Sequence, residues 1–240
     1  GQSALNLIRE QYPTARTLSV VTGSGNKAGD GFIVARLAHL EGLDVRVYPV
    51  VQPSSLKGDA LKAYEDFIKI GGEILNFIPN DFEGTEILVD ALLGTGLDRP
   101  ISEPFDSVIK AMNRYRWSCS VPQTKTRCLF CLDIPSGLHG GTGTVMGAAV
   151  KGDLTLTFVG QKQGLFTGEG PEYSGQIFWD SLISEPLTVD STMISASASM
   201  RRRVRKVSGR NIAKTSAFHT HDHFSSASSG KSAVRVVRPQ

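Results

Sequence analysis

Cysteine is scarce in this chain of 240 residues, which carries three: Cys119, Cys128 and Cys131. The count is odd, and CLFC at 128 to 131 lies inside an apolar run with no second pair or histidine beside it. That argues against a metal site and for buried, reduced thiols. Long apolar runs are lacking too. None approaches the roughly 20 residues of a membrane-spanning helix, and the opening stretch GQSALNLIREQYP has no signal-peptide core. Neither membrane insertion nor export is expected, and the expected location is the cytoplasm. Charge of one sign is nearly balanced out, at +3 overall. What is present is an ordinary globular composition, 40% hydrophobic and 20% charged, enough for one sizeable core or one core plus an appendage. The chain opens on Gly1 rather than Met, which fits a fragment or a processed form.

The small net charge hides two unlike regions. From Leu187 onward there are ten Lys/Arg against Asp190 and Asp222, a charge of +8, while the rest holds 16 Lys/Arg and 21 Asp/Glu, a charge of −5. The last part is rich in Ser and poor in large apolar residues, so residues 187–240 are expected to form a disordered basic tail. RRRVRK (201–206) could anchor nucleic acid or acidic membrane, and HTHDH (219–223) could clamp a metal. Without aromatic interleaving or defined ligand geometry, a solvated tail is the expectation, with no nucleic-acid partner.

Residues 1–186 alternate strand and helix signals. Leu5–Gln11 reads as the end of a helix, Thr17–Thr22 as a buried strand, Asp30–Leu40 as a helix, and 45–51 as a second strand. A helix follows over Leu56–Ile70, then a strand running into a turn over 86–94, a helix over Phe105–Tyr115, a strand and turn over 127–137, and a strand over 153–160. IFWD (177–180) reads as a short edge strand. Strands separated by helices of this length pair in parallel through right-handed crossovers. The expected fold is an α/β, three-layer α/β/α sandwich, Rossmann-like, with a mostly parallel sheet.

In such a sheet the ligand lies beyond the carboxyl ends of the strands. Four strand-end loops carry polar or glycine chemistry: GSGNKAGDG (23–31), VDALLGTGLDRP (89–100), LDIPSGLHGGTG (132–143) and VGQKQGL (159–165). The first sits between a strand and a helix, where backbone N–H groups and the helix dipole favour a phosphate. Gly23, Gly25 and Ala28 match the dinucleotide fingerprint, but the acidic residue it requires after the second strand is absent, which argues against a dehydrogenase. Asp30 is open between helix N-cap and ligand contact. Asp90 and Asp133 each end an apolar run, and GTG at 94–96 offers a second backbone cradle. Two carboxylates, the Ser136 hydroxyl, an amide and two backbone cradles suit a small phosphorylated ligand and a hard cation held by oxygen.

GSGNKAGDGFIVARLA, VDALLGTGLDRPI, LDIPSGL followed by TGTVMGAAVKGDLTLTF, and QKQGL together resemble the NAD(P)H-hydrate epimerase family, the YjeF N-terminal domain, from about Leu5 to about Ile183. The resemblance implies a homodimeric isomerase that interconverts the R and S forms of hydrated NADH and NADPH. Carried over by motif, substrate contacts fall on Asn26, Lys27, Ala28, Gly29 and Asp30, on Gly94, Thr95, Gly96, Leu97, Asp98, Arg99 and Pro100, and on Asp133. Asp133 is the candidate general acid/base, and Lys162 is open between stabilising charge at the site and an exposed loop position. The family's potassium ion falls on Asp90, Ser136 and the position held here by Lys27.

Three residues depart from the pattern. Where the family usually reads G-N-N-G-G-D-G, this chain has Lys27 and Ala28, and His139 replaces an Asp. An ammonium gives a cation no oxygen. Either Lys27 puts its own charge in the potassium site, paired with Asp90, or the change ended catalysis. The alternative function is thus a non-catalytic nucleotide-binding or protein-interaction domain. The family's epimerase is often fused to a dehydratase. With a basic stretch in that place, a separate dehydratase is an expected partner, and a true end, a frameshifted relic and a truncated gene reading all stand for the tail.

Overall fold

The structure, a computed structural model, describes residues 1–76, 82–117, 127–182, 204–208 and 211–213. Helix α1 (Gln2–Gln11) precedes strand β1 (Thr17–Thr22), α2 (Asn26–Leu40), β2 (Asp44–Pro49), α3 (Gly58–Lys69) and the two-residue β3 (Glu73–Ile74). Then come β4 (Ile87–Ala91), α4 (Phe105–Trp117), β5 (Cys128–Leu132), β6 (Leu154–Phe158), the single turn α5 (Gly170–Tyr173) and β7 (Gln176–Asp180). The backbone of β8 (Val204–Ser208) and β9 (Asn211–Ala213) extends the same sheet. The order across it is β3-β2-β1-β4-β5-β6-β7-β8-β9, parallel from β3 to β8 and antiparallel only between β8 and β9.

Both faces of the sheet are covered, which is why the central strands read as unbroken apolar runs rather than alternating ones. Leu18, Val20, Val45, Val47, Ile87, Val89, Cys128, Phe130 and Leu156 pack with Leu5 and Ile8 of α1, Phe32 of α2 and Phe67 of α3. Their neighbours on the opposite face, Val21, Leu88, Leu129 and Cys131, pack with Val108, Ile109, Met112 and Tyr115 of α4. The three layers follow from this division, as the apolar patterns predict. Cys128 and Cys131 are buried and not joined in a disulfide, as expected, while Cys119 and HTHDH lie outside the described residues.

Two local readings change. IFWD is not an edge, since β7 lies between β6 and β8. Of the basic segment, 204–208 and 211–213 form strands, and the rest of 187–240 lies outside the described residues. More consequential for the site, α2 begins at Asn26 rather than Asp30. Gly25 is its N-cap, and the Gly25 carbonyl accepts the N–H groups of Ala28 (2.9 Å) and Gly29 (3.4 Å). Asp30 is therefore inside the helix and not its cap. The glycines that made this stretch look like a loop serve close packing. A Cβ on Gly29 would lie 3.1 Å from Ala60 Cα of α3, and one on Gly31 would lie 2.5 Å from Ala91 Cβ of β4. Low helix propensity at both positions is outweighed by the approach of α2 to its neighbours.

Candidate functional site

The order in which strands are added reverses between the parallel neighbours β1 and β4, and loops leaving the carboxyl ends of these strands part there to leave a crevice. A cleft of about 1030 Å³ occupies that point. Its lining brings together the ends of β1, β4, β5 and β6, through Asn26, Lys27 and Asp30, the run Gly94 to Pro100, Asp133, and Val159 to Lys162. The volume lies at the upper end of the range for small-molecule sites.

The first loop fits against the second, the segment after β4, because of Gly23. A Cβ there would lie 2.1 Å from the Leu92 carbonyl oxygen, so only glycine lets the β1–α2 turn lie on the segment after β4. From this turn α2 points its N-terminus at the cleft, with the N–H groups of Asn26 and Lys27 ahead of the first intrahelical bond. No side chain caps that end.

Beneath the cleft lies a polar cluster. Asp90, fully buried in β4, accepts the N–H of Leu92 (3.1 Å), the N–H of Ser136 (2.7 Å) and the Ser136 hydroxyl (2.5 Å). Lys27 bends inward from the first turn of α2 and is only 7% exposed. Its Nζ lies 3.1 Å from Asp90 Oδ2 and donates to the Leu93 carbonyl (3.0 Å), the Ile134 carbonyl (2.8 Å) and Ser136 Oγ (2.9 Å). Cys131 stands beside this pair, and burial, reinforced by the Asp90 charge, holds its thiol well above the ordinary range.

The second charged pair is at the ends of β5 and β6. Asp133 Oδ1 accepts the Phe158 N–H (3.2 Å) and the Thr157 hydroxyl (3.3 Å), and it forms an ion pair with Lys162 Nζ. Lys162 in turn donates to the Phe158 carbonyl at 2.7 Å, so the loop after β6 folds back over its own strand. Asp133 adopts φ 63°, and the other described non-glycine residues with positive φ, Val159 and Leu182, also line this cleft. Such backbone strain gathers at working sites. Asp30 faces the same space. Burial raises its carboxyl above the usual carboxylate range, the Asp133 charge adds to the rise, and the positive charges of the amino terminus and Lys27 oppose it.

Most of the motif-derived residues thus meet. Asn26, Lys27, Asp30, Gly94, Thr95, Gly96, Leu97, Asp98, Arg99, Pro100 and Asp133 line the cleft, while Asp90 and Ser136 form its buried foundation. Ala28 lies fully buried in the apolar core, and Gly29 faces a smaller groove between α2 and α3. His139 stays away from the cleft: its Nδ1 faces the N–H groups of Gly141 (3.3 Å) and Thr142 (3.1 Å) and pins the turn after β5. Thr157 and the Phe158 N–H were missed, because neither residue type signals a carboxylate contact until β5 and β6 are paired. Among the described residues no three His, Cys, Asp or Glu side chains converge as a metal-binding set, and no helix is long and apolar enough to cross a membrane.

Known proteins share this architecture. The bifunctional NAD(P)H-hydrate repair enzyme of Coxiella burnetii is 38% identical over 183 residues, 76% of this chain and 35% of its own length. The NAD(P)H-hydrate epimerase of Limosilactobacillus fermentum is 33% identical over 172 residues, 71% of this chain and 76% of its own length. The chain therefore spans about a third of the length of the bifunctional relative and about three quarters of the length of the epimerase. A crystal structure of the yeast protein ynu0 (YNL200c) superposes with a TM-score of 0.57 at 18% identity, covering 68% of this chain and 69% of the other, and supports the fold. The family described as YjeF-related protein N-terminus matches residues 1–164, and the chain belongs to that family.

Proposed function

We propose that this chain is an NAD(P)H-hydrate epimerase, interconverting the R and S forms of hydrated NADH and NADPH. The observation that carries the reading is Asp133, a partly exposed carboxylate held by Lys162 and two strand-end donors at the mouth of a dinucleotide-sized cleft. The relatives' names supply the substrate class.

The reacting centre is a hemiaminal carbon, C6 of the nicotinamide ring. Its hydroxyl leaves as water once protonated, with the ring nitrogen lone pair taking up the positive charge at carbon. Water then adds to the other face and gives up a proton. One acid/base group within hydrogen-bond reach suffices for both halves. Asp133 fills that role, and Asp30, whose carboxyl holds its proton to higher pH than usual, is a second proton carrier facing the same space. The N-terminus of α2 and the backbone of Gly94 to Gly96 receive the pyrophosphate, with Arg99 as a counter-charge in the cleft wall.

We further propose a homodimer in the cytoplasm whose product passes to a dehydratase specific for one epimer. Chromatography of a single pure epimer of hydrated NADPH, incubated with the purified protein, tests the activity. Epimerisation well above the spontaneous rate is expected. Folded protein that leaves the spontaneous rate unchanged refutes it and selects the non-catalytic reading. Light scattering of the purified chain tests the dimer.

A further inference from the structure

Four oxygens, two carbonyls, one hydroxyl and one carboxylate, surround Lys27 Nζ at 2.8 to 3.1 Å. This is the donor set that strips and replaces the hydration shell of a monovalent cation. The three N–H groups of the ammonium meet three acceptors, and the fourth oxygen supplies the negative charge. A potassium ion does not fit beside it, because Nζ holds the point at which the oxygens converge and would meet the ion as a like charge.

We propose that Lys27 is a tethered cation that permanently occupies this cage, so that the fold of this chain and its turnover are independent of potassium. The sequence left two readings of Lys27, and the geometry favours the constructive one. A lysine in the first turn of a helix ordinarily runs out to water, since the positive end of the dipole disfavours it there. Here the stem turns inward and is nearly sealed. Asp90, with no exposure at all, has this ammonium as its counter-charge. The cage also joins three separate strand ends. Lys27 follows β1, Leu93 follows β4, and Ile134 and Ser136 follow β5, so one charge holds together the segments that form the floor of the cleft. A free ion does this only while its concentration exceeds its dissociation constant, whereas a covalently attached one is always present.

The statement about the fold stands apart from the epimerase reading, and the statement about turnover rests on it. The test compares thermal unfolding midpoints in potassium chloride and choline chloride at equal ionic strength, for the natural chain, Lys27→Met and Lys27→Asn. The natural chain is expected to melt within about 1 °C in the two salts. Lys27→Met, which strands the Asp90 charge, falls by roughly 6–20 °C in both. Lys27→Asn, whose shorter amide leaves room and an oxygen, falls similarly in choline and recovers saturably with potassium. A midpoint of the natural chain that climbs several degrees with potassium overturns the proposal. So does Lys27→Met melting with the natural chain, or Lys27→Asn indifferent to potassium, read as refolding yield where the variant does not stay folded. Unfolding needs no substrate, so an inactive protein with the expected salt pattern counts against the epimerase reading alone. Where epimerisation is measurable, the natural rate is expected to be equal in the two salts.

Discussion

Replacing Asp133 by Asn isolates the chemistry of the proposed acid/base group with little other disturbance. The amide is nearly isosteric and keeps an acceptor oxygen for the Phe158 N–H and the Thr157 hydroxyl, which lie 3.2 and 3.3 Å from the carboxylate. Asn also tolerates the left-handed conformation at φ 63°, where most residues are strained. What is lost is the proton-carrying capacity and the ion pair with Lys162, whose partners are 23% and 20% exposed. A pair of that burial lies between the surface value of roughly 0–1 kcal/mol and the buried value of roughly 3–5, so about 1–2 kcal/mol of stability is at stake. At roughly 2–4 °C per kcal/mol the midpoint falls by roughly 2–8 °C, and the variant stays folded at 25 °C. Loss of general acid/base catalysis costs about 10²–10⁴ in rate, or roughly 3–5 kcal/mol of barrier. The assay follows one epimer chromatographically, with circular dichroism confirming the fold. An Asn variant within threefold of the natural rate refutes Asp133 as the acid/base group.

Two further outcomes concern stability. The thiol of Cys131 and the phenols of Tyr115 and Tyr12 are all held above their ordinary ranges, first by burial. Above pH 9.0, the reference value for the thiol, the unfolded chain has released a proton that the folded chain still holds. Stability is therefore full below that pH and lost as the pH rises, by up to about 1.4 kcal/mol per pH unit for the fully buried Cys131 thiol, with the two phenols adding to the loss at higher pH. Urea midpoints at pH 7, 8.5 and 10 should fall only at the last, and a flat profile contradicts the assignment. Gly23→Ala, whose added methyl would meet the Leu92 carbonyl at 2.1 Å, should lose about 3 kcal/mol and melt roughly 6–12 °C lower. An unchanged melting curve would mean that the turn after β1 does not need to lie so close to the segment after β4.

The contrast between Thr17–Thr22 and Asn26–Gly31 marks how far pattern carries. The strand was legible to the residue, because burial on both faces demands an unbroken apolar run and leaves few other ways to read one. The first turns of α2 were not, since Gly29 and Gly31 speak locally for a loop, and only the nearness of Ala60 and Ala91 explains them. The order of four loops was likewise readable, and parallel topology alone was enough to predict that they share one end of the sheet. Which members of those loops touch was not.

The sequence by itself determined the parallel three-layer sheet, the clustering of glycine and carboxylate loops at one edge, and the family. Tertiary structure alone decided where the charges go. Lys27 finds the carbonyls of Leu93 and Ile134, which lie 66 and 107 positions away along the chain. Asp133 finds Lys162 and the Phe158 N–H once β5 and β6 are paired. Helical and strand periods are local and set which way a residue leaves its own element. The partner of a buried charge is set by long-range packing, because only packing excludes the water that would otherwise solvate it.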